Sequence, residues 1–197
     1  MNPKIFINNG NSISIDFALV FKTLNDELAR HNESLSLICA GGYVLQLNGY
    51  RSTSDVDAFF NSNPVIDNII RKTGDTFGIN KPEELWLNNS LSSMNPEPPG
   101  KYCKLIHQFS NLTVLAVDLL YLAGMKLTSA RGQDLKDVAE IIRNTKELQP
   151  FELLNKLTEM RFIIDISILL DTYGEAFGME WLEKFYNENE HDLGELF

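Results

Sequence analysis

The stretch ICAGGYVLQLNGYRSTSDVDAFF, Ile38 to Phe60, reads as strand, glycine turn, helix and strand in succession. Leu35 to Ala40 is a short apolar run that stops at Gly41-Gly42, Tyr43 to Leu47 restarts as a helical turn, and Asn48-Gly49 breaks it. Ser54 to Phe60 alternates toward a second strand. In that strand Asp55 and Asp57 are two residues apart, so the pleat sends both carboxylates to one face and Val56 and Ala58 to the other. Two acids on one face repel unless a hard cation lies between them. Mg²⁺ (or Mn²⁺), which takes a few carboxylates plus substrate phosphates, suits such a pair. Gly41-Gly42 supplies a complementary half, because backbone without side chains admits a ligand closely and the amides opening the next helix attract anions. Triphosphate at the glycines and metal at the aspartates together imply phosphoryl-transfer chemistry.

A hydrophobic residue, Gly-Gly or Gly-Ser, roughly ten residues and then Asp-hydrophobic-Asp/Glu stands here as Ala40-Gly41-Gly42, twelve residues, Asp55-Val56-Asp57. In this the chain resembles the DNA polymerase beta-like nucleotidyltransferase superfamily. Arg51, Thr53, Asp55 and Asp57, followed by Met125-Lys126-Leu127, Ala130-Arg131 and Asp134-Leu135-Lys136-Asp137, are similar to the small bacterial branch that includes AbiEii-type phage-defence and toxin-antitoxin enzymes. The resemblance covers about residues 35 to 143. It implies an α+β fold, a nucleotidyltransferase-like mixed β-sheet flanked by helices, with a core over 1–146; the helical C-terminal region over 147–197 is read from its own apolar stripe, Leu153, Leu157, Met160, Ile164, Ile168 and Leu169. It also implies roles: Asp55 and Asp57 as metal ligands and catalytic carboxylates, and Gly41, Gly42, Arg51, Thr53 and Ser54 as nucleotide-binding residues. Lys126 would be catalytic and nucleotide-binding, Arg131 nucleotide-binding, and Asp134 and Asp137 supports that orient Lys126 and Arg131 by salt bridges. The implied reaction moves a nucleoside monophosphate from a nucleoside triphosphate to an acceptor hydroxyl of RNA or tRNA, a protein or a small molecule. A cognate toxin or antitoxin is the implied partner. A degenerate relative that senses nucleotide or regulates a partner is the alternative.

Composition bounds these expectations. At 197 residues with 44% apolar content, the chain suits one core with a small helical appendage. Cys39 and Cys103 sit in apolar strand-like runs and are read as buried free thiols. There is no charged-then-apolar leader and no run long enough to cross a bilayer, so the expected location is cytoplasmic with no membrane partner. A net charge of −10, from 27 acids against 17 Lys and Arg, opposes a broad nucleic-acid footprint but allows Arg51, Lys126 and Arg131 to concentrate positive charge locally.

The remaining elements follow from periodicity. Lys4 to Ile7 is a strand ended by Asn8-Asn9-Gly10-Asn11, and Ser14 is the expected cap of a helix burying Phe17, Val20, Phe21, Leu24 and Leu28. Asn63-Pro64 opens a helix to about Thr76 with Val65, Ile69 and Ile70 buried, and Pro82 to Asn88 is expected to form a short helix. Trp86 is read as a core or cleft-wall aromatic rather than a base-stacking platform. Asn89 to Gly100 is a loop, and Tyr102 to His107 and Leu112 to Val117 form an edge hairpin in which His107 is structural. Asp118 is read as a helix cap, with a third metal carboxylate as the alternative. Helices are expected over 119–129, 133–143, 151–173 and 179–189; within the third, Asp165 needs a partner if buried.

Overall fold

The computed structural model describes residues 6–9, 12–93, 95–145 and 149–194. Its first strands, β1 (Phe6–Asn9) and β2 (Ser12–Ile15), form an antiparallel hairpin. Lys4 of the expected first strand, with Gly10 and Asn11 of the turn cluster, lies outside the described residues. Ser14 falls inside β2, so it does not cap the following helix; Asp16 does, accepting from the amides of Ala18 and Leu19. That helix, α1 (Phe17–Arg30), buries the predicted stripe Phe17, Val20, Phe21, Leu24 and Leu28.

A five-stranded mixed sheet follows in the order β5-β4-β3-β7-β6. β3 (Leu35–Cys39) runs antiparallel to β4 (Val56–Phe59) and parallel to β7 (Leu112–Val117), while β5 (Leu87–Asn88) pairs parallel with β4 and β6 (Cys103–Gln108) antiparallel with β7. The hairpin expected over 102–117 is therefore present, with β6 at the edge. β3 is central because nearly all of it is apolar: Leu35, Leu37, Ile38 and Cys39 are buried.

α2 (Gly41–Leu47) leaves β3 directly, and α3 (Pro64–Phe77) starts at an Asn63 cap whose side chain accepts from Val65 and Ile66. The buried face of α3 is Ile66, Ile69, Ile70, Thr73, Gly74 and Phe77; Val65 is exposed, one position off the predicted stripe. Residues 80–86 do not form the expected helix. Lys81 and Glu84 exchange backbone hydrogen bonds in a tight turn, and the Val56 amide donates to the Trp86 carbonyl at 2.6 Å, so the chain enters the sheet as β5. Sheet pairing here overrides a helix-like Pro-Glu-Glu-Leu pattern. Trp86 is 1% exposed, stacks on Phe17, packs against Phe21 and donates its indole N–H to the Ile70 carbonyl, which is the structural role read for it. His107 rests between Phe21 and Phe109. Among its described residues the loop from Asn89 to Gly100 contains a 3₁₀ turn at Ser90–Ser93, and another, Gly100–Tyr102, begins at its end.

All remaining elements are helical: α4 (Leu119–Ser129), α5 (Gly132–Asn144), α6 (Pro150–Glu159), α7 (Ile166–Phe177), α8 (Met179–Glu188) and α9 (Glu190–Gly194). The helix expected over 151–173 is broken between Met160 and Asp165, where Arg161 adopts φ +71°. Asp165 caps α7 by accepting from the Ser167 amide, which answers what it pairs with: it is an exposed cap rather than a buried acid. Leu170, Leu182, Phe185 and Leu193 form a buried cluster, beside which Tyr173, Trp181 and Phe185 stack in series.

The fold is thus α+β, a mixed sheet flanked by helices and followed by a helical region. Packing groups it into two compact units, Met1–Asp118 and Leu119–Phe197. The boundary drawn from sequence at 146 falls within the second unit, between α5 and α6.

Both cysteines are free thiols, but only Cys39 is buried; Cys103 is partly exposed on the edge strand β6. Burial pushes the Cys39 thiol far up, and the Asp57 charge pushes it further. Iodoacetamide at pH 8 is therefore expected to leave Cys39 unmodified in the folded protein and to modify it in urea. Peptide mass spectrometry reads this; fast native labelling of Cys39 would contradict the burial.

Candidate nucleotide and metal site

In the first unit, β3 delivers the chain to Gly41-Gly42 and β4 returns alongside it, with the Ala40 amide donating to the Asp57 carbonyl at 2.9 Å. Gly41 has φ +60°, and a Cβ there would lie 2.5 Å from Asp57 Oδ2; a Cβ on Gly42 would lie 2.6 Å from Thr53 Oγ1 and 3.3 Å from an Arg51 guanidinium nitrogen. The two halves of the motif are therefore in contact. The glycines are required because residues 51–57 press against them. Ser54 is exposed on the same connection.

Gln46 holds that connection in place. Its carboxamide oxygen accepts from the Thr53 amide at 2.9 Å and its nitrogen donates to the Ile15 carbonyl at 2.8 Å, tying the end of β2 to the approach to β4. Thr53 Oγ1 donates to Asp55 Oδ1 at 2.9 Å. β4 proper starts at Val56, so Asp55 stands just before the strand and Asp57 within it. Both are half-buried, with Val56 and Ala58 fully buried between and beyond them as alternation requires.

Two further residues complete the site, and motif spacing does not mark either. Lys81 Nζ donates to Asp55 Oδ2 at 2.9 Å and to Glu84 Oε2 at 3.0 Å. Asn88 donates to Asp57 Oδ1 at 3.1 Å while its oxygen accepts from the Ser90 hydroxyl at 2.6 Å. The Asn88 contact is set by the parallel register Asp57↔Asn88, and the Lys81 contact by the turn at 80–86. Burial pushes the Asp55 carboxyl up, but hydrogen bonds from Lys81 and Thr53, with the charges of Lys81 and Arg51, outweigh it and hold the group below the usual carboxylate range. The same bond to Asp55, then that to Glu84, raises Lys81.

The donor set suits Mg²⁺. Asp55 and Asp57 offer hard oxygens, the space beside Asp57 Oδ2 is one that a Cβ on residue 41 would fill, and two carboxylates are what this ion takes when phosphates complete its shell. Among the described residues no group of three His, Cys, Asp or Glu is placed to hold a metal. Asp118, the alternative third carboxylate, follows β7 directly, and its amide donates to the Tyr102 carbonyl at 2.8 Å.

In the second unit, Lys126 of α4 is 7% exposed and donates to Asp134 Oδ1 at 2.6 Å and Asp137 Oδ2 at 2.8 Å, both on α5. Ser129 donates to the other oxygen of Asp134 at 2.6 Å, and Gln133 to the other oxygen of Asp137 at 3.0 Å. The expected salt bridges to Lys126 are therefore present. Arg131, at the cap position of α5, is exposed.

Residues 16–181 match the model of a family described as a nucleotidyltransferase of unknown function (DUF6036). No curated protein and no solved structure matches the chain. No helix among the described residues is long and apolar enough to cross a membrane. The matched span includes both glycines, both strand carboxylates and the Lys126 network, and the chain belongs to this nucleotidyltransferase family.

Proposed function

We propose that the protein is a Mg²⁺-dependent nucleotidyltransferase that moves a nucleoside monophosphate from a nucleoside triphosphate to an acceptor hydroxyl. The observation that carries this reading is the contact of Asp57 and Thr53 with the two glycines, which puts a carboxylate beside a side-chain-free helix opening. Asp55 and Asp57 would hold the ion, which when bound supplies charge neutralisation and lowers the acceptor's pKa. Backbone amides opening the helix at Gly41 and Gly42 would meet phosphate oxygens, Arg51 and Ser54 would add side-chain donors, and Thr53, engaged by Asp55 and Gln46, would hold the metal carboxylate in place. As the acceptor oxygen bonds to the α-phosphorus, the bond to the β-phosphate breaks and pyrophosphate departs. Lys126 gives two of its three donors to carboxylates in a network of net charge −1, which supports a positioning role between α4 and α5. Neutralisation at the phosphates falls to Arg51 in this reading. The resemblance to AbiEii-type proteins supports a role in phage defence or a toxin-antitoxin pair in the cytoplasm, with RNA or tRNA, a protein or a small molecule as the acceptor.

Calorimetric titration of each nucleoside triphosphate with and without Mg²⁺ tests the reading. Magnesium-dependent binding by the wild type and its loss in Asp57→Asn are expected; binding unchanged in the variant would overturn the assignment.

A second reading, a nucleotide sensor or partner-binding regulator of the same fold, is favoured by Lys81 on Asp55 and by the two-carboxylate donor set. It predicts saturable binding, or capture of a basic partner by this acidic chain, with no pyrophosphate released from any triphosphate.

A further inference from the structure

Lys81 is anchored at its backbone and half-exposed along its side chain. The Lys81 amide donates to the Glu84 carbonyl at 2.9 Å, and the preceding Asn80 donates to the Arg71 carbonyl and to Asp75, both at 2.8 Å, while accepting from the Trp86 amide. Packing fixes the turn as well: a Cβ on Gly74 would lie 2.1 Å from Asn80 Oδ1 and 2.5 Å from Trp86 Cδ1. From this rigid base the lysine reaches across to Asp55, a residue 26 positions earlier, with its side chain 47% exposed.

Thr53 donates to Asp55 Oδ1 and Lys81 to Oδ2, so a divalent ion at Asp55 meets one of these donors, and the ammonium is the one whose charge opposes it. An ammonium and a divalent cation on one carboxylate repel at contact distance. The lysine has a second carboxylate within reach, because Glu84 Oε2 lies 3.0 Å from the same nitrogen. An exposed ion pair is worth little, about 0–1 kcal/mol, so exchange is inexpensive.

We propose that Lys81 is a tethered competitor for the divalent-cation site, bridging Asp55 Oδ2 and Glu84 in the metal-free protein and keeping Glu84 alone when the metal enters. The inference rests on the assignment of Asp55 and Asp57 as metal ligands. Its consequence is a bare site of low affinity, filled when a cation arrives with a triphosphate that supplies the remaining ligands. Lys81 then acts as a positioning residue that couples metal entry to nucleotide entry.

Mn²⁺ alone is the probe, its binding followed by electron paramagnetic resonance of the free ion in wild type, Lys81→Met, Glu84→Gln and Asp57→Asn. Lys81→Met is expected to bind roughly two- to fivefold more tightly than wild type, the range that loss of an exposed pair allows. Glu84→Gln, which removes the alternative carboxylate, is expected to bind more weakly. A lysine that merely adds positive charge near the site would give the same signs, so a second readout is needed. Acylation of Lys81 by an amine-reactive reagent, measured by mass spectrometry against the exposed Lys72, is expected to accelerate when Mn²⁺ is added. Mn²⁺ binding with unchanged or slower Lys81 acylation, or equal affinity in Lys81→Met, would overturn the exchange and leave the metal site standing. No Mn²⁺ binding by any of these proteins, or equal binding in Asp57→Asn, would overturn the metal assignment itself and the exchange with it.

Discussion

Replacing Lys126 with alanine is expected to destabilise the second unit by about 3–5 kcal/mol, the cost of removing the ammonium that bridges buried Asp137 and partly buried Asp134. Asp137 is 4% exposed and Lys126 7%, so water does not take the place of the lost ammonium. Ser129 and Gln133 remain as donors but are neutral, and they leave two negative charges facing each other across the removed side chain. The contrast is Lys81→Ala, in which the same residue type is lost from a half-exposed pair and the cost is about 0–1 kcal/mol. One tryptophan lies in each unit, Trp86 in the first and Trp181 in the second. Urea unfolding followed by fluorescence in Trp86→Phe and Trp181→Phe backgrounds therefore reads the units separately. A loss under about 1 kcal/mol in the Trp181 signal of Lys126→Ala would mean that the network is worth no more than a surface pair.

Gly41→Ala is expected to cost the first unit both stability and ligand binding. The left-handed backbone costs an alanine about 1–2 kcal/mol. The added Cβ would also stand 2.5 Å from Asp57 Oδ2, and forcing such a contact costs about 1–3 kcal/mol more. Because the clash is with the carboxylate itself, magnesium-dependent nucleotide binding is expected to disappear along with the stability. Gly49→Ala is the control, since Gly49 also has positive φ, +77°, but a Cβ there meets nothing within 4 Å. It should show the backbone cost alone and retain binding. Unfolding read at Trp86 and calorimetry with Mg²⁺ and nucleotide compare the two; equal losses of stability in both variants would remove the argument from contact with Asp57.

Local patterns determined much of this protein. The apolar run at 35–39, the stripe on α1, the Asn63-Pro64 helix start and the alternation of Asp55, Val56, Asp57 and Ala58 each depend on residues a few positions apart, and each is present as its spacing dictates. The Lys126, Asp134 and Asp137 network is implied by the family resemblance rather than by spacing, and its members sit on consecutive helices joined by a short connection. Tertiary structure decided the rest. Pro82 to Asn88 has a helical composition, yet β4 offers an edge whose Val56 amide takes the Trp86 carbonyl, and the gain from pairing outweighs a weak local preference. Ser14 is a good cap residue, but the β1 and β2 hairpin claims it and the role passes to Asp16. Lys81 and Asn88 reach Asp55 and Asp57 across 26 and 31 positions of sequence, distances at which no periodicity operates. Sequence by itself thus determined most of the elements and the alternation around Asp55 and Asp57. Only the pairing of β4 with β5 and the turn before it decided what holds those carboxylates, because contacts between distant segments exist only once the sheet has closed them together.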